Sequence, residues 1–177
     1  MYTHCNMKLT PFCLFLFPLP KTPYVYHIRK TGHLIQIEPT YSLFDYNKSH
    51  DIFHYNTKFR RNFKNKYFKH DLIDNHHIIP RQFQNHPLLQ DLRFDVACSK
   101  NIYFLPTRSA KHVLQDSSLI YHNSHPKYNT FVEKELQRIY SNEDKDNRQY
   151  EFTLFFMYLT HSLEHSDPYV KSMFRSS

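Results

Sequence analysis

The chain has 177 residues and carries 23 Lys+Arg against 16 Asp+Glu, a formal net charge of +7. That length suits one well-buried domain and is short for two, and the charge points to a polyanionic partner, either nucleic acid or an anionic membrane surface. The three cysteines, Cys5, Cys13 and Cys98, are scattered without CxxC spacing, which argues against a disulfide framework and for reduced thiols that ligate no metal.

One Gly accompanies 16 Phe and 14 Tyr, and Phe, Tyr, Asn and Lys all have AT-rich codons. The bias points to an AT-rich genome, that of an endosymbiont, a parasite or a virus, so aromatic patches carry less weight than usual. Residues 9–20 are the most apolar stretch and follow Lys8, but Pro11, Pro18 and Pro20 spoil a signal-like helix. The run is also far shorter than the roughly 20 residues that span a bilayer, and it reads as a tail or strand packed on the domain. No later segment is apolar enough to cross a membrane.

Tyr24-Val25-Tyr26-His27-Ile28 and Leu34-Ile35-Gln36-Ile37 alternate in the β sense around Lys30-Thr31-Gly32-His33, which predicts a hairpin with the only glycine at its tight turn. Residues 40–56 show no period and read as mostly irregular. Over residues 58–69, Phe59, Phe63 and Tyr67 recur every four residues while Lys58, Arg60, Arg61, Lys64, Lys66 and Lys69 fill the gaps. This is a basic amphipathic helix, either a solvated face over an apolar seam or an arm whose Arg60, Arg61 and Lys64 contact phosphate.

Asn75-His76-His77-Ile78-Ile79-Pro80 comes next, two adjacent imidazoles inside a short apolar run closed by a proline, a pattern that suits a metal site at a strand end. With 14 His in the chain, roughly one such pair is expected by chance, so the dyad gains meaning only from residues farther along the chain. Residues 81–92 have helical character around Phe83, Leu88 and Leu89, with His86-Pro87 as a break or a helix start. Asn101 opens a second strand, Ile102-Tyr103-Phe104-Leu105, closed by Pro106. From Ser124, a suitable N-cap, Tyr128, Phe131, Val132, Leu136 and Ile139 form a helical stripe with Pro126 in the first turn. Residues 142–147 form a polar break, and residues 149–163 a second helix that covers the core and stops before Pro168.

The order is thus a strand with His76 and His77, a loop, Asn101 before a strand, then His122 and His125 at a helix start. A strand pair followed by a helix can bring the end of the first strand against the helix N-terminus, where His125 would meet His76. Imidazoles are the usual protein ligands of transition metals, and two or three leave positions for water and a phosphate oxygen.

His76-His77-Ile78-Ile79-Pro80, Pro87-Leu88-Leu89, Phe94-Asp95, Asn101-Ile102-Tyr103-Phe104-Leu105-Pro106-Thr107 and Ser124-His125-Pro126-Lys127-Tyr128-Asn129 fall in the order and spacing of a known family. Over residues 74–139 the chain resembles the AHH nucleases of the HNH, or ββα-metal, endonuclease superfamily, endonuclease VII-like. The resemblance implies an α+β fold with a ββα-metal core over residues 71–140, preceded by an extension (1–70, hairpin and basic helix) and followed by a helical segment (141–177). With no Gly/Ser linker to divide them, residues 1–57 are expected to pack against that core.

The resemblance also implies roles. His76 and His125 would ligate one divalent ion (Mg, Mn, Zn or Ni), and His77 would be the general base that deprotonates the attacking water. Asn101 would brace the loop and hold the base in orientation. Arg81, Arg108 and Lys111 flank the site and could hold neighbouring phosphates.

Three departures stand out: Asn75 replaces the family's Ala, Asn123 its usual Gly, and Tyr121 its second helix-side His. His122, one residue later, could take over as the third ligand. His70, His86 and His112 lie outside the matched positions.

The expected activity is phosphodiester hydrolysis, on DNA rather than RNA, in the setting of a toxin opposed by an immunity protein, as AHH domains often are. Such a protein would be soluble, in cytoplasm or nucleus or delivered into a target cell. The competing readings are a zinc-stabilised nucleic-acid-binding module without catalysis, and a decayed nuclease.

Overall fold

In a computed structural model the residues described are 24–27, 34–37, 51, 53–67 and 72–174. The apolar stretch 9–20, Cys5, Cys13, the Lys30-Thr31-Gly32-His33 turn and His70 lie outside them. By contact density the chain divides into two compact units, residues 1–39 and 40–177. In the first, β1 (Tyr24–His27) and β2 (Leu34–Ile37) pair antiparallel, with Tyr24 opposite Ile37 and His27 opposite Leu34.

The second unit is organised on a strand whose own sequence favours a strand weakly. β3 (Ile73–His77) reads Ile-Asp-Asn-His-His, and Asp and Asn are depleted in sheets. Its partner compensates, because β4 (Ile102–Pro106) supplies β-branched and aromatic residues opposite: His77 faces Ile102, His76 faces Tyr103 and Asn75 faces Phe104 in an antiparallel ladder. Asn101 ends a short 3-10 turn just before β4.

Between the strands, His86 starts helix α2 (Pro87–Asp91) as its N-cap, with the ring Nδ1 accepting from Leu88 N–H at 3.2 Å. This histidine therefore has a structural task. After β4 come α3 (Ala110–Leu114), α4 (Pro126–Tyr140), α5 (Lys145–Glu164) and α6 (Pro168–Met173).

The core is formed by α4 and α5 over the strands and α2. Tyr128, Val132, Leu136 and Ile139 of α4 are buried, the stripe expected from spacing, and Phe131 is half-buried. From α5, Phe152, Phe155, Phe156, Leu159 and Leu163 are buried, and Phe94 packs edge-on against Phe152 and Phe156. Each such side chain contributes about 1.5–3 kcal/mol by leaving water. The N-cap of α4 is His125 rather than Ser124, and α5 begins at Lys145 with Asp144 as its cap, so much of the expected polar break is helix. Helix α6 lay hidden in the sequence behind Pro168.

The basic helix α1 (Lys58–Tyr67) also corrects an expectation. Arg60, read as a phosphate contact, is 2% exposed. Its guanidinium lies over the Phe53 and Phe104 rings and donates to Phe53 O and Asn75 Oδ1. Enclosed in this way, it ties α1 to β3 and is not available to a phosphate.

Candidate metal centre

Successive residues of a strand face opposite sides, and β3 uses this to separate its two histidines. The His76 ring meets His122, His125, Tyr128 and Phe174 with ring centroids 5.0–5.4 Å away, whereas His77 meets Tyr55 at 4.5 Å. His76 is 1% exposed, and neither of its ring nitrogens has a hydrogen-bond partner. Burying a polar group without a partner is costly, so this ring is one whose nitrogen calls for a ligand.

The other two imidazoles are already oriented. His122 lies between α3 and α4, bridged to Thr107, and donates its backbone N–H to Pro106 O at 2.7 Å. Its Nδ1 is 3.1 Å from Asp74 Oδ2, and because a carboxylate only accepts, the Nδ1–H donates. His125 Nδ1 likewise donates to Asn129 Oδ1 at 3.0 Å, one helical turn on, while Asn129 Nδ2 donates to Gln82 Oε1 at 3.2 Å. Each ring thereby keeps Nε2 free as an acceptor, the arrangement of metal-ligating histidines whose other nitrogen is held by a neighbour.

One nitrogen from each of His76, His122 and His125 lies within 4.8 Å of the others. The donor set, the convergence and the orphaned nitrogens of His76 fit a divalent transition metal. Phe174, just past α6, and Tyr128 wall the cluster, and Tyr128 is anchored by its hydroxyl donating to Ile78 O at 2.7 Å.

Electrostatics follow from burial. His76 is held well below the ordinary histidine range, first by burial and then by the neighbouring imidazoles, and His125 is lowered by burial despite Asn129. His77 is pushed down to about 4 by burial, followed by the charges of Arg81 and Arg60. The hydrogen bond from His122 pulls Asp74 down to about 2, with the Asn75 N–H and Lys64 assisting and burial opposing.

On the other side of β3, His77 Nε2 is buried without a partner beneath Tyr55, over which the Arg81 guanidinium lies at 5.2 Å from the ring centroid. A cleft lined by Tyr55, Asn56, Arg61 and Asn75 opens on this side. Asn101, wholly buried, touches none of the imidazoles through its amide and instead clamps Ile79 and Val96. Lys64, expected at phosphate, is paired with Asp74 at 3.7 Å. Arg108 and Lys111 are exposed at the start of α3, just beyond the Thr107 that pairs with His122. His112 is exposed as well.

Five residues that touch the four imidazoles were not singled out for these places from the sequence: Asp74, Asn129, Tyr128 and Phe174 at the cluster, and Tyr55 at His77. Asp74 shares a strand face with His76 and Asn129 lies one helical turn from His125, so spacing offered a signal for both. Tyr55 and Phe174 offered none.

No helix among the described residues is long and apolar enough to cross a membrane. The model of a family described as a nuclease family of the HNH/ENDO VII superfamily with conserved AHH matches residues 58–153, more than half of the chain. No curated protein and no solved structure matches it.

Proposed function

The chain belongs to the AHH nuclease family of the HNH/endonuclease VII superfamily, and on that premise we propose that it is a metal-dependent endonuclease that hydrolyses phosphodiester bonds of DNA, with β3, β4 and α4 as a ββα-metal core. The observation that carries this reading is a cluster of three convergent imidazoles with a fourth, His77, on the adjoining residue of the same strand.

In this reading His76, His122 and His125 hold one divalent ion, Mg, Mn, Zn or Ni. Once bound, the ion supplies a Lewis acid for the charge that grows on the phosphoryl and leaving oxygens. His77 accepts the proton of the attacking water at a ring nitrogen, and its depressed pKa keeps that imidazole neutral at pH 7. Arg61 and Tyr55 in the cleft, and Arg81 over Tyr55, seat the phosphate strand beside His77. Arg108 and Lys111 meet flanking phosphates. Asn101 acts by position, holding the loop that leaves the base.

The test is to incubate purified protein with supercoiled plasmid and with RNA under Mg²⁺, Mn²⁺, Zn²⁺ and Ni²⁺, each with and without EDTA. Nicking of plasmid with at least one metal, its loss on chelation, and slower cleavage of RNA are expected. If nucleic acid is bound but neither substrate is cut under any metal, the enzyme reading falls and a non-catalytic metal-stabilised binding module takes its place.

A further inference from the structure

We infer that Asp74 is the positioning residue of the metal centre: it fixes the ring of His122 so that a loop histidine, one residue out of the family's register, can serve as a ligand. The inference rests on the reading of the three imidazoles as a metal centre.

His122 is the ligand with the least support from secondary structure. His76 sits in a strand and His125 caps a helix, but His122 belongs to the segment between α3 and α4, held there by its pairing with Thr107 and Pro106. A ligand on a loop needs a neighbour to hold its ring, because small misplacements cost affinity.

Asp74 is placed to do so. It lies two residues before His76 on the same face of a paired strand, and its Oδ2 meets His122 Nδ1 at 3.1 Å. The other carboxylate oxygen is occupied, accepting from Asn75 N–H at 2.8 Å with Lys64 Nζ at 3.7 Å. Anchored at Oδ1, the carboxylate presents Oδ2 in one direction, and as an acceptor it keeps the His122 proton on Nδ1. The lone pair of Nε2 is then left for the cluster.

Tyr121 accounts for the shift in register. It occupies the position where the resemblance places a histidine, but its hydroxyl donates to Asp116 O at 2.8 Å, committing the ring to the α3–α4 segment. The inward position passes to the next residue, and Asp74 is the group that makes His122 fit there.

The experiment compares wild type with Asp74→Asn, His122→Ala and His76→Ala, using Zn²⁺ titration calorimetry and ¹⁵N NMR of the imidazole rings in metal-free protein. Asp74 is half-exposed, so the isosteric Asn variant is expected to fold. The wild-type His122 ring should carry its proton on Nδ1. In Asp74→Asn, where the amide can turn its NH₂ toward the ring, that preference should be lost and Zn²⁺ affinity should fall about 10–100-fold. Affinity unchanged in Asp74→Asn while His122→Ala loses Zn²⁺ would overturn the positioning role and leave His122 a ligand. A fall in affinity with the His122 tautomer unchanged would assign the effect to charge alone and also overturn it. Wild-type Zn²⁺ affinity in both His76→Ala and His122→Ala would instead bring down the metal-centre reading itself.

Discussion

Asn101 and Ile79 are joined at both ends of one peptide residue: Asn101 Oδ1 accepts from Ile79 N–H at 2.7 Å and Asn101 Nδ2 donates to Ile79 O at 2.9 Å. The same Nδ2 donates to Val96 O at 2.7 Å, and Asn101 O accepts from Ile78 N–H at 2.8 Å. The chain leaving His77 is therefore pinned where β3 ends. Replacing Asn101 with Ala strands these buried backbone groups of Ile79 and Val96, and is expected to cost about 2–4 kcal/mol of stability. Urea unfolding followed by circular dichroism checks this; a loss under about 1 kcal/mol would mean that water replaces the clamp.

Arg60 and Arg61 are neighbours on α1 with opposite expected behaviour. Arg61 is exposed in the cleft beside Asn75, and Arg60 is enclosed between Phe53 and Phe104. Arg61→Ala should leave stability unchanged within about 0.5 kcal/mol and weaken DNA binding, with the salt slope of log K reduced by about 1. Arg60→Ala should lower stability by about 2–3 kcal/mol. Binding isotherms at several salt concentrations and thermal melts separate the two, and an Arg61→Ala variant that binds DNA as tightly as wild type would remove the cleft from the substrate path.

The same pair shows what the sequence could and could not convey. Periodicity identified α1 as basic and amphipathic, but two adjacent arginines look alike until Phe53, Asn75 and Phe104 close around one of them. Likewise the α4 stripe of Tyr128, Val132, Leu136 and Ile139 was legible because a helix repeats its buried face locally. The partners of His122 were not, since Asp74 is 48 residues away and only the β3–β4 pairing brings them together. Phe174 was illegible for a similar reason: its burial depends on α6, a short helix that reveals itself only against α4 and α5. The order of His76, Asn101 and His125 did survive into space, with His76 and His125 in one cluster and Asn101 beneath the adjoining loop.

Scarcity of glycine leaves a trace in the backbone. Arg93, Gln115 and Ser166 adopt positive φ, and Ser166 does so at φ 52° just past α5, where helices commonly end on glycine. A side-chain-bearing residue there costs roughly 1 kcal/mol. Ser166→Gly is expected to raise the melting temperature by about 2–4 °C, as read by calorimetry, and an unchanged or lower value would show that the strain is relieved elsewhere.

Cys98 tests the packing around the Asn101 turn. It is buried, and burial pushes its thiol up to about 11, so at pH 8 the thiolate is scarce. In native protein treated with iodoacetamide at that pH, peptide mass spectrometry should find Cys98 unmodified, with modification appearing on addition of denaturant. Rapid native labelling would contradict the closed packing of this turn.

In the proposed reaction two adjacent imidazoles divide the labour, His76 for the metal and His77 for the proton. The most direct measurement is Zn²⁺ titration and plasmid cleavage on His76→Ala and His77→Ala side by side. His76→Ala is expected to lose Zn²⁺ binding and cleavage together, whereas His77→Ala is expected to bind Zn²⁺ like wild type and not to cleave. Cleavage by His77→Ala at the wild-type rate, or wild-type Zn²⁺ affinity in His76→Ala, would contradict this division.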